Sequence, residues 1–380
     1  MTPSLRFTAA TFAACLAAIR LTSFSQTAQP PEISPTASPD SNAIPPIIVQ
    51  ASRTGKTPLQ MPASVQVITA REIADSGCSS TADVLEKQGG LFMRSVNSNP
   101  TLTQLSLRGF GDNSFGRVLI LVNGERLNNP DMSAPSLLRI PVASISRIEI
   151  VRGPQTVLHG DFASAGVVNI ITDDTTSEPQ TTLGASAGAY DTYAAFANTT
   201  GTFGEDGVAY RASADWEKSG GYRDNSDYET YELNAALRKE FGEDRVLSLS
   251  AFYHDADYGL PGSLSRTRYQ SAPRSSATPR DRSELESFGL CLGGRTTAGA
   301  DGTFDLTVTT SRRETDSRWL SPSSLALYGS EIDSFAVLPH YTLDSRIAGH
   351  RSVLTLGTDL RYDTTAFSSD YLSPFYTSLL

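Results

Sequence analysis

Residues 139–172, RIPVASISRIEIVRGPQTVLHGDFASAGVVNIIT, decide the fold. Ile148 and Ile150 alternate with Arg147 and Glu149, the period-2 pattern of a strand. Gly153-Pro154 then forces a turn straight after it. Val167 to Ile171 form a short apolar run, the pattern of a fully buried strand. Gly160 and Gly166 permit tight backbone approach between the two. Such strands need a sheet and a core to bury them, so the flanking sequence must supply both.

The upstream sequence does. Ser64 to Ile68 alternate as a strand, and Thr69-Ala70-Arg71-Glu72 has the spacing of a capping box that opens a helix stopped by Gly77. Ser80 caps a second helix that runs through Lys87 to Gly89-Gly90. Val118 to Val122, then Asn123-Gly124, then Glu125 to Leu127 predict a hairpin with a type I′ turn. Residues 59–174 therefore read as a compact α+β domain.

Downstream of residue 178 the texture changes to alternating segments. Leu247, Leu249, Ala251 and Tyr253 share one face and Ser248, Ser250 and His254 the other. Tyr231, Leu233, Ala235 and Leu237 oppose Glu232, Asn234 and Arg238. Phe304, Leu306 and Val308 oppose Asp305, Thr307 and Thr309, and Leu354, Leu356, Leu360 and Tyr362 oppose Thr355, Asp359 and Arg361. Nine strands are predicted, at about 180–189, 192–203, 207–217, 228–241, 244–255, 283–296, 302–312, 332–343 and 351–363. Tight links follow the even-numbered strands. Long polar links (217–226, 256–282 and 313–331) follow the third, fifth and seventh, the link at Tyr190-Asp191 is short, and residues 364–380 read as the start of another long outer loop. Short turns at one rim and long loops at the other favour an antiparallel transmembrane β-barrel over a soluble sandwich.

The N-terminus reads as an export signal. Arg6 precedes an apolar run from Phe7 to Ile19, too short to span a bilayer as a helix, with a small-residue exit near Ser25 or Ala28. Residues 1–25 are assigned as the signal peptide and 26–58 as a Pro- and Ser-rich linker. No later stretch is long and apolar enough for a membrane helix, and a mean hydropathy of −0.22 is compatible with alternating strands. A net charge of −10 argues against nucleic acid as a partner. Three cysteines (Cys15, Cys78, Cys291) are too few and scattered for a disulfide framework or zinc site, and four dispersed histidines have no ligand spacing. Residues 111–118 have phosphate-loop glycine spacing but lack its Lys and Ser/Thr. GxSxG, HExxH and CxxC are absent, Asp224 to Asp227 read as a solvated loop tip, and the chain is expected to be no enzyme and to need no cofactor or metal.

Several spaced blocks, LSLRGFG (105–111), RVLILVNGERLN (117–128), Arg152-Gly153-Pro154 followed by Gly160, and AGVVNIIT (165–172), resemble the plug domain of TonB-dependent outer-membrane receptors. The resemblance implies a plug (59–174) followed by the N-terminal part of a barrel (178–380), about nine of an expected 22 strands, hence an incomplete receptor. It also implies an outer-membrane location and import of a scarce ligand, a ferric siderophore or cobalamin. Energy would come through TonB and its inner-membrane complex, and the barrel would sit in outer-membrane lipid. Ile47, Ile48, Val49, Gln50 and Ala51 stand where the family carries its TonB box, and such a β-forming burst suits pairing with a partner's sheet edge. The family pattern casts Arg108 and Arg152 as plug arginines that pair with wall carboxylates, with Glu232 and Asp305 as inward candidates. Tyr258, Arg268 and Tyr269 are expected to touch ligand, because aromatics and arginine offer large contact area. A passive porin or adhesin, predicting no plug and no box, and a soluble periplasmic binding module, predicting water on both strand faces, are the alternatives.

Overall fold

The computed structural model describes residues 63–372 except 97, 173–178, 205, 206, 243, 300, 322 and 323. The signal peptide, the linker and residues 47–51 lie outside the described residues.

The first unit is a five-stranded sheet packed against short helices. Strand β1 (Ser64–Thr69) leads into α1 (Ala70–Ser76) and α2 (Thr81–Lys87). The small pair β2 (Phe92–Ser95) and β3 (Thr103–Ser106) follows, a hairpin the sequence pattern did not announce. Then come β4 (Val118–Val122), β5 (Glu125–Arg126), β6 (Arg147–Arg152), α3 (Thr156–His159) and β7 (Gly166–Ile171). The sheet order is β1-β6-β7-β4-β5, with β4 and β7 parallel and the other pairs antiparallel.

Local chemistry accounts for these boundaries. Thr69 accepts from the Glu72 amide while Glu72 accepts from the Thr69 amide, so both ends of the capping box are closed. Gly77 ends α1 in the left-handed region at φ 63°. Asn123 (φ 53°) and Gly124 (φ 85°) carry the two positive φ values a type I′ turn demands. The core gathers Ile68, Ile73, Val84, Leu85, Ile148, Ile150, Val168 and Ile170 from α1 and α2 and from strands β1, β6 and β7.

Gly166 sits where this core is tightest. A Cβ there would stand 2.5 Å from the Val151 carbonyl oxygen and 3.0 Å from Leu107 Cδ1. Gly166→Ala is expected to cost about 1–3 kcal/mol through overpacking. The measurement is protease sensitivity of the 63–171 region in the intact protein, which should rise; unchanged sensitivity contradicts the packing argument.

The second unit is one antiparallel sheet. It comprises β8 (Gln180–Gly188), β9 (Thr192–Phe203), β10 (Val208–Ser219), β11 (Tyr228–Phe241) and β12 (Arg245–Gly259). After α4 (Arg266–Ser271) it continues through β13 (Arg282–Thr297), β14 (Gly302–Ser321), β15 (Ser324–Ile347), β16 (His350–Gly357) and β17 (Leu360–Leu372). Neighbours follow chain order, and both β16 and β17 pair with β15. The path is open, with β8 on one edge and the β16–β17 pair on the other.

Three expectations are corrected. Residues 313–331 are not a long loop: β14 and β15 run on in register to Ser321↔Ser324. The apolar alternation fades along this ribbon while the backbone ladder continues. Residues 364–372 are likewise strand and not loop, paired to Leu325–Asp333. Finally, the ninth strand is interrupted at 358–359, opposite Pro339. Proline has no amide to donate, so the ladder breaks there and resumes in the same register.

The two faces of the sheet differ in chemistry. Leu237, Leu249, Phe288, Leu290, Leu292 and Phe335 point away from the first unit, and Leu290 is 51% exposed although it sits in mid-strand. The opposite face carries Arg211, Ser213, Thr230, Glu232, His254, Ser283 and Thr309, all buried. An exposed apolar outer face with a polar inner one is the arrangement of a lipid-facing barrel wall. No helix among the described residues is long and apolar enough to cross a membrane, which says nothing of strands.

Candidate functional site

The polar inner face of the sheet is covered by the α+β unit, and four arginines fasten the two together. Arg139 lies in the irregular backbone between β5 and β6 and reaches β12, where its guanidinium carbon stands 3.1 Å from the centroid of the Phe252 ring. Burial pushes its basicity down, while the carboxylates of Glu125 and Glu232 hold it up. Arg211 on β10 donates to the Ser144 carbonyl at 2.7 Å. Arg313 on β14 donates to Ser133 Oγ at 3.0 Å, with Asp131 at 4.0 Å. Arg223, in the link between β10 and β11, donates to Ser98 Oγ at 2.9 Å.

Beneath Arg139 the wall contributes a buried pair. His254 Nδ1 and Glu232 Oε2 are 2.9 Å apart, both side chains almost wholly enclosed. Strand register explains their meeting, since Glu232 and His254 are direct partners across β11 and β12. Glu125, at the turn of the β4–β5 hairpin, has its carboxyl pushed up by burial against the opposing pull of Arg139 and Arg361. The interface also has an apolar patch. Tyr228, Ala256, Tyr258 and Leu285 pack with Leu102, Leu138 and Leu260.

Two clefts run between the unit and the wall. One is lined by Asn123, Glu125, Arg139, Arg211, Ser250 and Cys291 among others. The second is lined by Arg126, Asn129, Arg139, His254, Arg313 and Arg361 among others. Apolar side chains such as Val122, Ile140, Phe252 and Leu285 alternate with these, so the contact is a charged, polar seam interrupted by apolar patches. A seam of this composition holds two bodies in register yet leaves them separable, unlike a continuous apolar core.

The expected site residues fare unevenly. Glu232 does face inward, into the field of Arg139. Asp305 is engaged within the wall instead, by Arg295 on the neighbouring strand at 2.5 Å. Arg152 does not reach the wall of this sheet. It donates to Gln66 Oε1 at 2.7 Å and to the Gly89 carbonyl at 2.6 Å, both within its own unit. Arg108 is exposed at φ 57°, and no described wall carboxylate pairs with it. Tyr258 is not on a ligand loop: β12 runs to Gly259, and the even register turns Tyr258 inward to 1% exposure under Leu102 and Leu138. Arg268 and Tyr269 do stand on the outer loop, on exposed α4, with Tyr269 65% exposed. Arg139, Arg211 and Arg313 were missed. Arg211 occupies an inward position of the alternation, a signal that was present; Arg313 falls in the stretch read as loop, and Arg139 sits in irregular backbone, where no periodicity exists.

Comparison with known proteins fits this geometry. Residues 57–167 match the family described as the TonB-dependent Receptor Plug Domain. The chain is 28% identical over 261 residues to the vitamin B12 transporter BtuB of Vibrio vulnificus, covering 64% of this chain and 42% of that protein. It is 26% identical over 235 residues to BtuB of Photobacterium profundum, covering 58% and 38%. Among solved structures, the unliganded ferric citrate transporter FecA superposes with a TM-score of 0.74 at 17% identity, over 84% of this chain and 50% of that one. The ferric yersiniabactin uptake receptor FyuA from Yersinia pestis gives 0.69 at 17% identity, over 82% and 50%. The match thus spans about half the length of these solved structures and about two-fifths of these curated relatives.

Proposed function

We propose, from the premise that the chain belongs to the TonB-dependent receptors and carries their plug and part of their barrel, that it serves as an outer-membrane importer of a scarce ligand, a ferric siderophore or cobalamin. The observation that carries this reading is the seating of the plug. It lies on the polar inner face of the wall, fastened by Arg139, Arg211 and Arg313, where it would obstruct the lumen of a closed barrel. A body fixed there by several charged and hydrogen-bonded contacts blocks diffusion, so passage requires work on the plug. A periplasmic handle in residues 47–51, pairing by backbone hydrogen bonds with TonB, is a reversible way to deliver that work.

A passive porin would need an open lumen, and a soluble module would not leave Leu290, Phe288 and Phe335 exposed on one continuous face. The test uses cells expressing the full gene. Ligand uptake is expected to stop when the proton gradient is collapsed or TonB is removed, while surface binding persists. Uptake that continues without TonB contradicts the proposal.

A further inference from the structure

The outer rim holds a concentration of positive charge at odds with the chain's net charge of −10. The link between β12 and β13, residues 260–281, carries Arg266, Arg268, Arg274 and Arg280, all exposed. Arg223 from the neighbouring link joins them. Among the described residues, none of these five guanidinium groups lies within 4.0 Å of a carboxylate. Arg282 at the base of the same loop shows the contrast, paired to Asp227 at 2.9 Å and Asp257 at 2.8 Å.

Arg223 spends its donors on neutral oxygens: the Ser275 carbonyl at 3.0 Å, the Pro261 carbonyl at 3.1 Å and Ser98 Oγ on the plug at 2.9 Å. Burial and the adjacent Arg268 charge both push its basicity down, against the weaker opposing pull of Asp224. Arg223 and Arg268 thus sit in each other's field with only partial compensation from Asp224.

The loop that holds them is built, not loose. Asn225 Nδ2 donates to the carbonyls of Leu260, Thr278 and Asp281 at 3.2, 2.7 and 2.9 Å. Ser265 caps α4, accepting from the Arg268 amide. Arg274 donates to the Tyr222 carbonyl at 3.1 Å, its guanidinium carbon 5.6 Å from the Tyr190 ring and 5.7 Å from the Tyr222 ring. Leu260 packs with plug residues Leu102 and Leu138 against the same wall cluster, and Asn99 of the plug donates to the Gly259 carbonyl at 2.9 Å, so the base of the loop adjoins the plug. Holding like charges together costs free energy that an incoming anion would recover, and a fixed loop loses little entropy on capturing it.

We propose that this cluster is the capture site for a multiply anionic iron chelate, one presenting several carboxylate or catecholate oxygens, and not for a neutral corrinoid. The inference rests on the receptor reading above and narrows its ligand class. Arg266 and Arg268 on exposed α4 make the first contacts, Tyr269 offers an aromatic face beside them, and Arg223 ties capture to the plug through Ser98.

The test is equilibrium binding to outer-membrane vesicles carrying the receptor expressed from its full gene. The probes are ferric citrate, an iron tris-catecholate and cyanocobalamin. At least one anionic chelate is expected to bind saturably, about tenfold more weakly in the Arg266→Gln/Arg268→Gln variant. That binding should weaken with salt, since the screening length shrinks from about 10 Å at 0.1 M to about 3 Å at 1 M. The Arg266→Lys/Arg268→Lys variant keeps the charge and should retain most of the affinity, which separates charge from folding. Failure of both anionic probes to bind overturns the inference, as does tight cyanocobalamin binding that the glutamines leave unchanged. Lost lipopolysaccharide association with unchanged chelate binding also overturns it, assigning the arginines to lipid phosphates. TonB-dependent uptake of cyanocobalamin would sink the anionic inference while leaving the importer reading standing.

Discussion

Replacing Arg139 by methionine is expected to unseat the plug from the wall. Arg139 stands over the Phe252 ring and in the field of Glu125 and Glu232, so its removal deletes the cation that both enclosed carboxylates face. Taking away one partner of a buried charge cluster costs on the order of 3 kcal/mol, because the remaining charge stays desolvated and, with Arg361 alone beside Glu125, less compensated. That is about a hundredfold in the ratio of seated to unseated plug. The readout is protease accessibility of the plug and leakage of small solutes through the complete receptor, both of which should rise.

The pH dependence has a definite sign. Burial already raises the Glu125 carboxyl above its ordinary value of 4.5, and losing Arg139 removes a charge that lowers it. A carboxyl whose folded-state pKa is raised favours the seated form below its unfolded value, and that contribution disappears as pH climbs through the folded value. The leak of the methionine variant should therefore be greatest at neutral pH and recede toward pH 4.5. A leak that grows on acidification would contradict the assignment.

The second large effect lies at the other end of the machinery. Ile48→Pro should abolish uptake and leave ligand binding near normal. Proline removes a backbone donor and disfavours strand pairing, so a handle that works by adding a strand to TonB would no longer be gripped. The proposed capture site lies in residues 260–281, far from residues 47–51 in the chain, so binding has no reason to change. Vesicle binding and whole-cell uptake, measured on the same variant, separate the two. Full uptake with proline in place would show that the handle lies elsewhere.

What could be read from the sequence followed physical periodicity. The apolar run 167–171, the Thr69–Glu72 box and the Asn123-Gly124 turn each encode one local geometry, and each appears where expected. Strand positions in the wall were legible wherever lipid on one side and polar lumen on the other impose alternation, as along Leu247–Tyr253. That alternation fades beyond Arg312, which is why Arg313–Ser321 and Ser324–Glu331 read as loop and prove to be ladder. The same limit hid the end of β12, so that Tyr258 looked like a loop aromatic and is a buried contact. The plug–wall arginines depend on which irregular segment lies against which strand. No spacing in one stretch of chain encodes such a pairing.

Arg152, set aside as a wall contact, gains another meaning from where it stands in the plug sheet. Among the described residues β1 is an edge strand, joined only to β6, and its first residue Ser64 lies opposite Arg152. Any tension transmitted through the preceding chain arrives at that end of β1. The Arg152 guanidinium grips Gln66 of β1 and the Gly89 carbonyl behind α2 at once, so it rivets the strand that is loaded first to the body that must follow. Drawn across the sheet, β1 would peel one ladder rung at a time from this end; drawn along its own axis, all six paired residues would resist together. The direction of the pull thus selects whether the plug yields as an unravelling thread or travels as a piece, and the rivet sits where that choice is made.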